Sequence, residues 1–265
     1  IPGAALGSVV ISEIIRRSQI NKSDVDEVIM GQVLTGGAGQ NPARQAAIKS
    51  GIPNEKPAHI VNQVCGSGLR SIASAFQSIK SKDSKIIIAG GQENMSLAPH
   101  AIHLREGKKL GNAEIVDTMI NDGLWDAFNN YHMGVTAENV ATKFKITRDE
   151  QDRFALASHT KALQAQVKNK FKDEIVNVKI KSKTNVTNFS KDEHPREGVT
   201  LETLTRLKPV FQKNGTVTAG NASGLNDGAA AVTLMSNDEV KKRKLEKLVS
   251  IKSWASCGVD PALMG

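Results

Sequence analysis

Along residues 1–95 the hydrophobic positions switch between two periods. Leu6, Val9, Val10, Ile14 and Ile15 recur at helical spacing, whereas the apolar run inside Val25 to Leu34 suits a strand. Asn41-Pro42 reads as a helix start, with the Asn side chain as cap and the proline in the first turn, and Gly51 as its stop. A second apolar run, His59 to Val64, ends at Cys65 and opens a helix-like stretch from Gly66 to Phe76. In it Leu69, Ile72, Phe76 and Ile79 fall three, four and three apart, which predicts that this face buries. Lys85 to Ala89 is a further strand. Strands alternating with helices imply parallel crossovers and an α/β class.

Beyond Met95 the periodicity weakens. Residues 96–135 scatter Gly, Pro and Asn, and helices are predicted from about Thr136 and from Thr147, where Thr147-Arg148-Asp149-Glu150 is a capping box. Lys181 to Gly198 reads as polar loop, and Trp125, Phe128, Phe154 and Leu156 as the apolar matter of a separate lobe. Alternation resumes with a strand over Ala229 to Leu234, a charged helix capped by Ser236, and a strand over Val249 to Ser256.

Composition and charge narrow the function classes. The 265 residues carry 35 Lys and Arg against 27 Asp and Glu, for a net charge of +8. The basic residues are dispersed and lack the interleaved aromatics that stack on bases, so they read as a solvated face rather than a nucleic-acid surface. A positive field also suits a phosphate-rich small ligand. No apolar run is long enough for a bilayer-spanning helix. The two cysteines, Cys65 and Cys257, make no disulfide framework, which suits a reducing compartment.

Cys65 is the foremost candidate for chemistry. At a strand-to-helix turn a side chain is exposed, helix N-termini favour thiolate over thiol, and Gly66 and Gly68 let a substrate approach the backbone. From spacing alone a buried structural cysteine fits equally well. A cysteine hydrolase is another reading, since Cys65-Gly66-Ser67 has a papain-type look, but Gly68 stands where that word has its next cysteine.

Four words, in order, carry a more specific signal: Asn62-Gln63-Val64-Cys65-Gly66-Ser67-Gly68, Gly90-Gly91-Gln92-Glu93-Asn94-Met95-Ser96, Tyr131-His132-Met133-Gly134, and Gly215 through Ala231. They resemble the thiolases, in particular their acetyl-CoA acetyltransferase branch. The resemblance implies a layered α-β-α-β-α fold with an inserted loop domain and a second half incomplete in this chain. On that plan residues 1–95 are an N-terminal thiolase half, 96–224 a loop domain that binds coenzyme A, and 225–265 the start of a C-terminal half. It also implies a strand ahead of Ile1. Past Gly265 it implies a Gly-His-Pro word and a second Cys-Gly word, which in the family bear a catalytic His and Cys.

The implied reaction is condensation of two acetyl-CoA to acetoacetyl-CoA and CoA, and the reverse thiolysis, through a Cys65 acyl-enzyme. A broader-range 3-ketoacyl-CoA thiolase and a non-catalytic CoA- or lipid-binding relative are the alternatives. Residues matching the family's coenzyme A contacts are Leu124, His132, Met133, Arg196 and Thr203. Phe211, Ala219, Ser223, Leu225 and Met264 complete the set. His132 reads equally as a satisfied core histidine by itself, and Arg196 as a solvated loop arginine. Neither a cofactor nor a metal is expected, and Cys257 reads as a buried small hydrophobe. The expected setting is a cytoplasmic homodimer or homotetramer, away from membrane and nucleic acid, in which residues 100–118 match a tetramer-joining loop.

Overall fold

The computed structural model describes residues 1–181 and 184–264. Its contacts divide the chain into two compact units, one of residues 1–123 and 226–256, the other of residues 124–225 and 257–265. Residues 96–123, allotted above to the loop domain, cluster with the first unit, and residues 257–265 with the second.

In the first unit, helix α1 (Gly3–Ser18) is followed by β1 (Glu27–Gly31), α2 (Pro42–Lys49), β2 (Ala58–Val61), α3 (Ser67–Ser81) and β3 (Ile86–Asn94). β1 lies between β2 and β3 and is parallel to both, Val28 facing Ala58 and Ile88. The strand Asp227–Met235 then adds antiparallel to the outer side of β3, from Asp227 opposite Asn94 to Met235 opposite Ile86.

Period-two alternation sorts the strand side chains onto the two faces. Val28, Met30, Ile86 and Ile88 turn toward Ile11 and Ile15 of α1 and Ala43, Ala46 and Ala47 of α2. Ile29, Ile87 and Ala89 turn the other way, with Ala75, Ile72, Phe76 and Ile79 of α3. The unit is therefore helices, sheet and helix in three layers, an α/β architecture.

Several starts follow their caps. Asn41 accepts a hydrogen bond from the Arg44 amide with Pro42 in the first turn, and Gly51, at φ +86°, ends that segment. Ser236 accepts from the Glu239 amide and opens the helix Asn237–Arg243, where Arg243 pairs with both Glu239 and Asp24.

The second unit is held differently. A hairpin pairs Trp125–Asp126 with Tyr131–His132, and buried Asp126 closes its turn by accepting from the Phe128 and Asn129 amides. The helices Met133–Phe144 and Arg148–Val167 follow, the second opened by Thr147 and Glu150 in a reciprocal capping box. Among the described residues no helix is long and apolar enough to cross a membrane.

Five expectations need correction. Residues 181–198 are not all loop, because Val186–Phe189 pairs antiparallel with Val178–Lys181. Val249 to Ser256 forms no strand; it has no strand to pair with among the described residues, and Val249 is 82% exposed. Trp125, Phe128 and Phe154 are exposed and make no lobe core. Cys257 is exposed, not buried. On α3 Leu69 is exposed, while Ile72, Phe76 and Ile79 of the same expected face do pack against the sheet, and the most buried positions are the small residues Ser67, Ser71, Ala73 and Ala75.

Candidate active site

The turn from β2 into α3 is tied at every step. Asn62 Oδ1 accepts from the Val64 amide at 2.9 Å, and the Gly66 amide donates to the Gln63 carbonyl at 3.1 Å. Ser67 Oγ donates to the Val64 carbonyl at 2.6 Å and accepts from the Gln63 amide at 2.9 Å. These bonds hold Val64 at φ +48°, a left-handed conformation that a β-branched residue adopts only under constraint. The sharp turn leaves Cys65 exposed one residue ahead of Gly66, the cap of α3. Nearby, the Arg70 guanidinium lies 5.0 Å from the centroid of the Trp254 ring, and Gln63 Nε2 donates to Ser256 Oγ.

Small residues let α3 sit against the sheet at this end. Gly31 of β1 lies directly under the Ser67 and Gly68 backbone, and Gly91 of β3 faces Gly68 Cα. Ser71 Oγ, buried, reaches the Gly90 carbonyl at 2.7 Å. The Glu93 carboxylate at the end of β3 accepts from the Val33 and Leu34 amides, and burial raises its pKa. Gly31 and Ser71 were not singled out from the sequence. An isolated glycine in an apolar strand is the signal that could have flagged the first.

The ten proposed contact residues all belong to the second unit. His132 caps the helix Met133–Phe144: its Nδ1 accepts from the Gly134 amide at 3.0 Å, so the neutral ring carries its proton on Nε2. Its ring stacks on Phe211 with centroids 4.7 Å apart, and burial lowers its pKa. Gly134 makes that stack possible, because a Cβ there would lie 2.2 Å from the Phe211 ring.

Phe211 is brought close by the Val210 amide donating to the Val217 carbonyl. Thr203 lies on the helix Leu201–Thr205, whose buried Leu204 packs over Gly220, next to Ala219. Leu124 directly precedes the strand that pairs with His132, and Met264 follows a turn joined to the helix Met133–Phe144 by Asn139 Nδ2 donating to the Ala262 carbonyl. Ser223 and Leu225 are exposed in the segment after Asn221. Arg196 is exposed and its amide donates to His159 Nδ1.

Two buried carboxylates shape the segment Thr216–Asn221. Glu138 accepts from the Thr216 and Val217 amides and from Thr216 Oγ1, all at 2.8–2.9 Å. Asp152, fully buried, accepts from Asn221 Nδ2 and pairs with Arg148, which also reaches the Leu204 and Leu207 carbonyls. Neither carboxylate was singled out from the sequence, where each reads as one more charge on a helix.

Comparison with known proteins bears on this arrangement. The family described as thiolase, N-terminal domain, matches residues 2–238. The chain is 56% identical over 265 residues to a Paracoccus denitrificans protein named acetyl-CoA acetyltransferase, covering 100% of this chain and 68% of that protein. A protein of the same name from Rhizobium meliloti is 55% identical, over 98% of this chain and 66% of its own length. A crystal structure of the Bacillus anthracis acetyl-CoA acetyltransferase superposes with a TM-score of 0.96 at 41% identity, covering 99% of this chain and 67% of that one. The chain thus spans about two thirds of the length of the relatives it matches.

Proposed function

Because this chain belongs to the thiolase family, we propose that it performs the acyl-transfer chemistry of an acetyl-CoA acetyltransferase, with Cys65 as the residue that carries the acyl group. The observation that carries the reading is the exposed thiol on a constrained turn at the start of α3.

In the first half-reaction the Cys65 thiolate attacks the thioester carbonyl of acetyl-CoA. The carbon–sulfur bond to CoA breaks, CoA leaves as its thiol after taking a proton, and an acetyl-enzyme remains. In the second, another acetyl-CoA loses a proton from its α-carbon and attacks the acetyl-enzyme. A carbon–carbon bond forms, acetoacetyl-CoA departs, and the thiolate is restored. The Cys65 amide, at the turn into the helix, supports the oxyanion of the tetrahedral intermediate. We assign the two proton transfers to no residue of these 265. Nothing in this scheme calls for a cofactor or metal.

The second unit supplies the binding surface in this reading. The His132–Phe211 stack, the Met133 and Leu124 side chains and the segment carrying Ala219, Ser223 and Leu225 contact the pantetheine arm. Thr203, Met264 and Arg196 lie further along the thioester. A cytoplasmic homodimer or homotetramer remains part of the proposal, and light scattering on the purified protein distinguishes the two.

The test is acylation itself. Full-length protein incubated with acetyl-CoA gains one acetyl group, mapped by peptide mass to Cys65 and lost in Cys65→Ser, together with thiolysis of acetoacetyl-CoA. Acetylation at Cys257, or thiolysis that survives Cys65→Ser, overturns the assignment. Faster thiolysis of long-chain 3-ketoacyl-CoA than of acetoacetyl-CoA replaces the acetyl-CoA acetyltransferase by the broader-range enzyme.

A further inference from the structure

The turn that carries Arg196 is fastened to one face of a single helix. His159 and Gln166 lie seven residues apart on Arg148–Val167, hence on the same side. Gln166 Nε2 donates to the Asp192 carbonyl at 3.4 Å where the turn begins, and the Arg196 amide donates to His159 Nδ1 at 3.3 Å where it ends. The His194 ring lies along that of His159, with centroids 6.1 Å apart and planes at 23°.

Two of the three acidic groups of the turn have partners, and none of the three, Glu193 included, pairs with Arg196 among the described residues. Asp192 Oδ1 accepts from the His194 amide and Glu197 pairs with Lys191 at 3.4 Å. Arg196 forms no ion pair among the described residues and is exposed. An arginine kept clear of its acidic neighbours is available to a phosphate or to an aromatic base, both of which its planar guanidinium suits.

We propose that His159 is a positioning residue for thioester binding: by accepting the Arg196 amide it holds the turn so that the guanidinium meets the nucleotide end of a coenzyme A thioester. This inference rests on the reading of Arg196 as a substrate contact given above. The acceptor must be an unprotonated ring nitrogen, so the neutral imidazole with its proton on Nε2 is the working form. An aliphatic side chain at 159 removes the acceptor, whereas an asparagine places a carboxamide oxygen near the position of Nδ1.

The experiment compares two substrates of the full-length protein, acetoacetyl-CoA and acetoacetyl-pantetheine, which lacks the nucleotide. His159→Leu is expected to raise KM for the CoA thioester about three- to tenfold, the value of one hydrogen bond, with kcat unchanged. KM for the pantetheine thioester stays put. Arg196→Ala shows the same selectivity, the double variant is no worse than Arg196→Ala alone, and His159→Asn retains the parental KM.

A loss in His159→Leu that is equal for both substrates, or that adds to that of Arg196→Ala, overturns the positioning role while leaving Arg196 as a contact. An Arg196→Ala variant with equal effects on both substrates instead removes Arg196 from the nucleotide end, and this inference with it. Thermal melting of each variant confirms that the comparison is between folded proteins.

Discussion

Gly31 and Ser67 are in contact through backbone alone: a Cβ on Gly31 would lie 2.4 Å from the Ser67 carbonyl carbon and 2.6 Å from the Gly68 nitrogen. The obstacle is main chain on both sides, so no side chain can swing away to make room. The position of the first turn of α3, and of Cys65 just ahead of it, is thus set by an absent methyl group in β1. Gly31→Ala is expected to push that turn off the sheet, at a cost of about 1–3 kcal/mol in stability. Displacement of a reacting group by even ~1 Å costs on the order of a hundredfold in rate. Thiolysis by a folded Gly31→Ala protein should therefore fall more than tenfold, and a rate near that of the parent would show that α3 is not held by this contact.

Glu138 receives hydrogen bonds from two backbone amides and one hydroxyl. In Glu138→Ala both accepting oxygens are lost, which leaves the buried Val217 amide and the Thr216 amide without this partner. The expected loss is about 1–3 kcal/mol, read as a lower denaturant midpoint. The slack introduced at Thr216 and Val217 should also raise KM for acetoacetyl-CoA. Unchanged stability would mean that the segment is held by other contacts.

His132 links stability to pH. Burial lowers its folded-state pKa below the unfolded value of 6.5, so the unfolded chain binds the proton more readily. The contribution is fully present above pH 6.5 and is lost as pH falls through the folded-state value. Between pH 7.5 and the acid limit of folding, the melting temperature of the parent should drop more than that of His132→Asn, whose carboxamide oxygen still accepts from the Gly134 amide. Parallel melting curves across that range would contradict the assignment.

The caps were the most legible part of the fold. Asn41-Pro42, Thr147 with Glu150, and Ser236 each satisfy amides within three residues, so the short sequence window that shows them contains the whole interaction. The alternating strands of the first unit were legible for a similar reason. On α3 the spacing found Ile72, Phe76 and Ile79 but missed the first turn, where Leu69 is exposed and close approach to glycines in the sheet selects the small residues Ser67 and Ser71. In the second unit the two helices were legible but their packing was not. Its organising contacts are polar and distant, Glu138 with Thr216 being 78 positions apart, and no periodicity reports a partner that far away. At the site, Cys65 was visible in its turn and the contact residues only through resemblance.

The pairing of Asn94 with Asp227 has a consequence for how such a protein can change. The chain leaves the sheet at the end of β3 and returns to the neighbouring position, where the Asn226 amide meets Met95 Sδ. Everything between is a detour whose two ends are already adjacent. Lengthening a closed detour costs little more entropy, since the penalty grows only with the logarithm of its length. Insertions, deletions and new side chains in residues 124–225 can therefore accumulate without shifting the register of any strand that places Cys65. Selection can reshape the second unit's surface while Cys65 stays where it is.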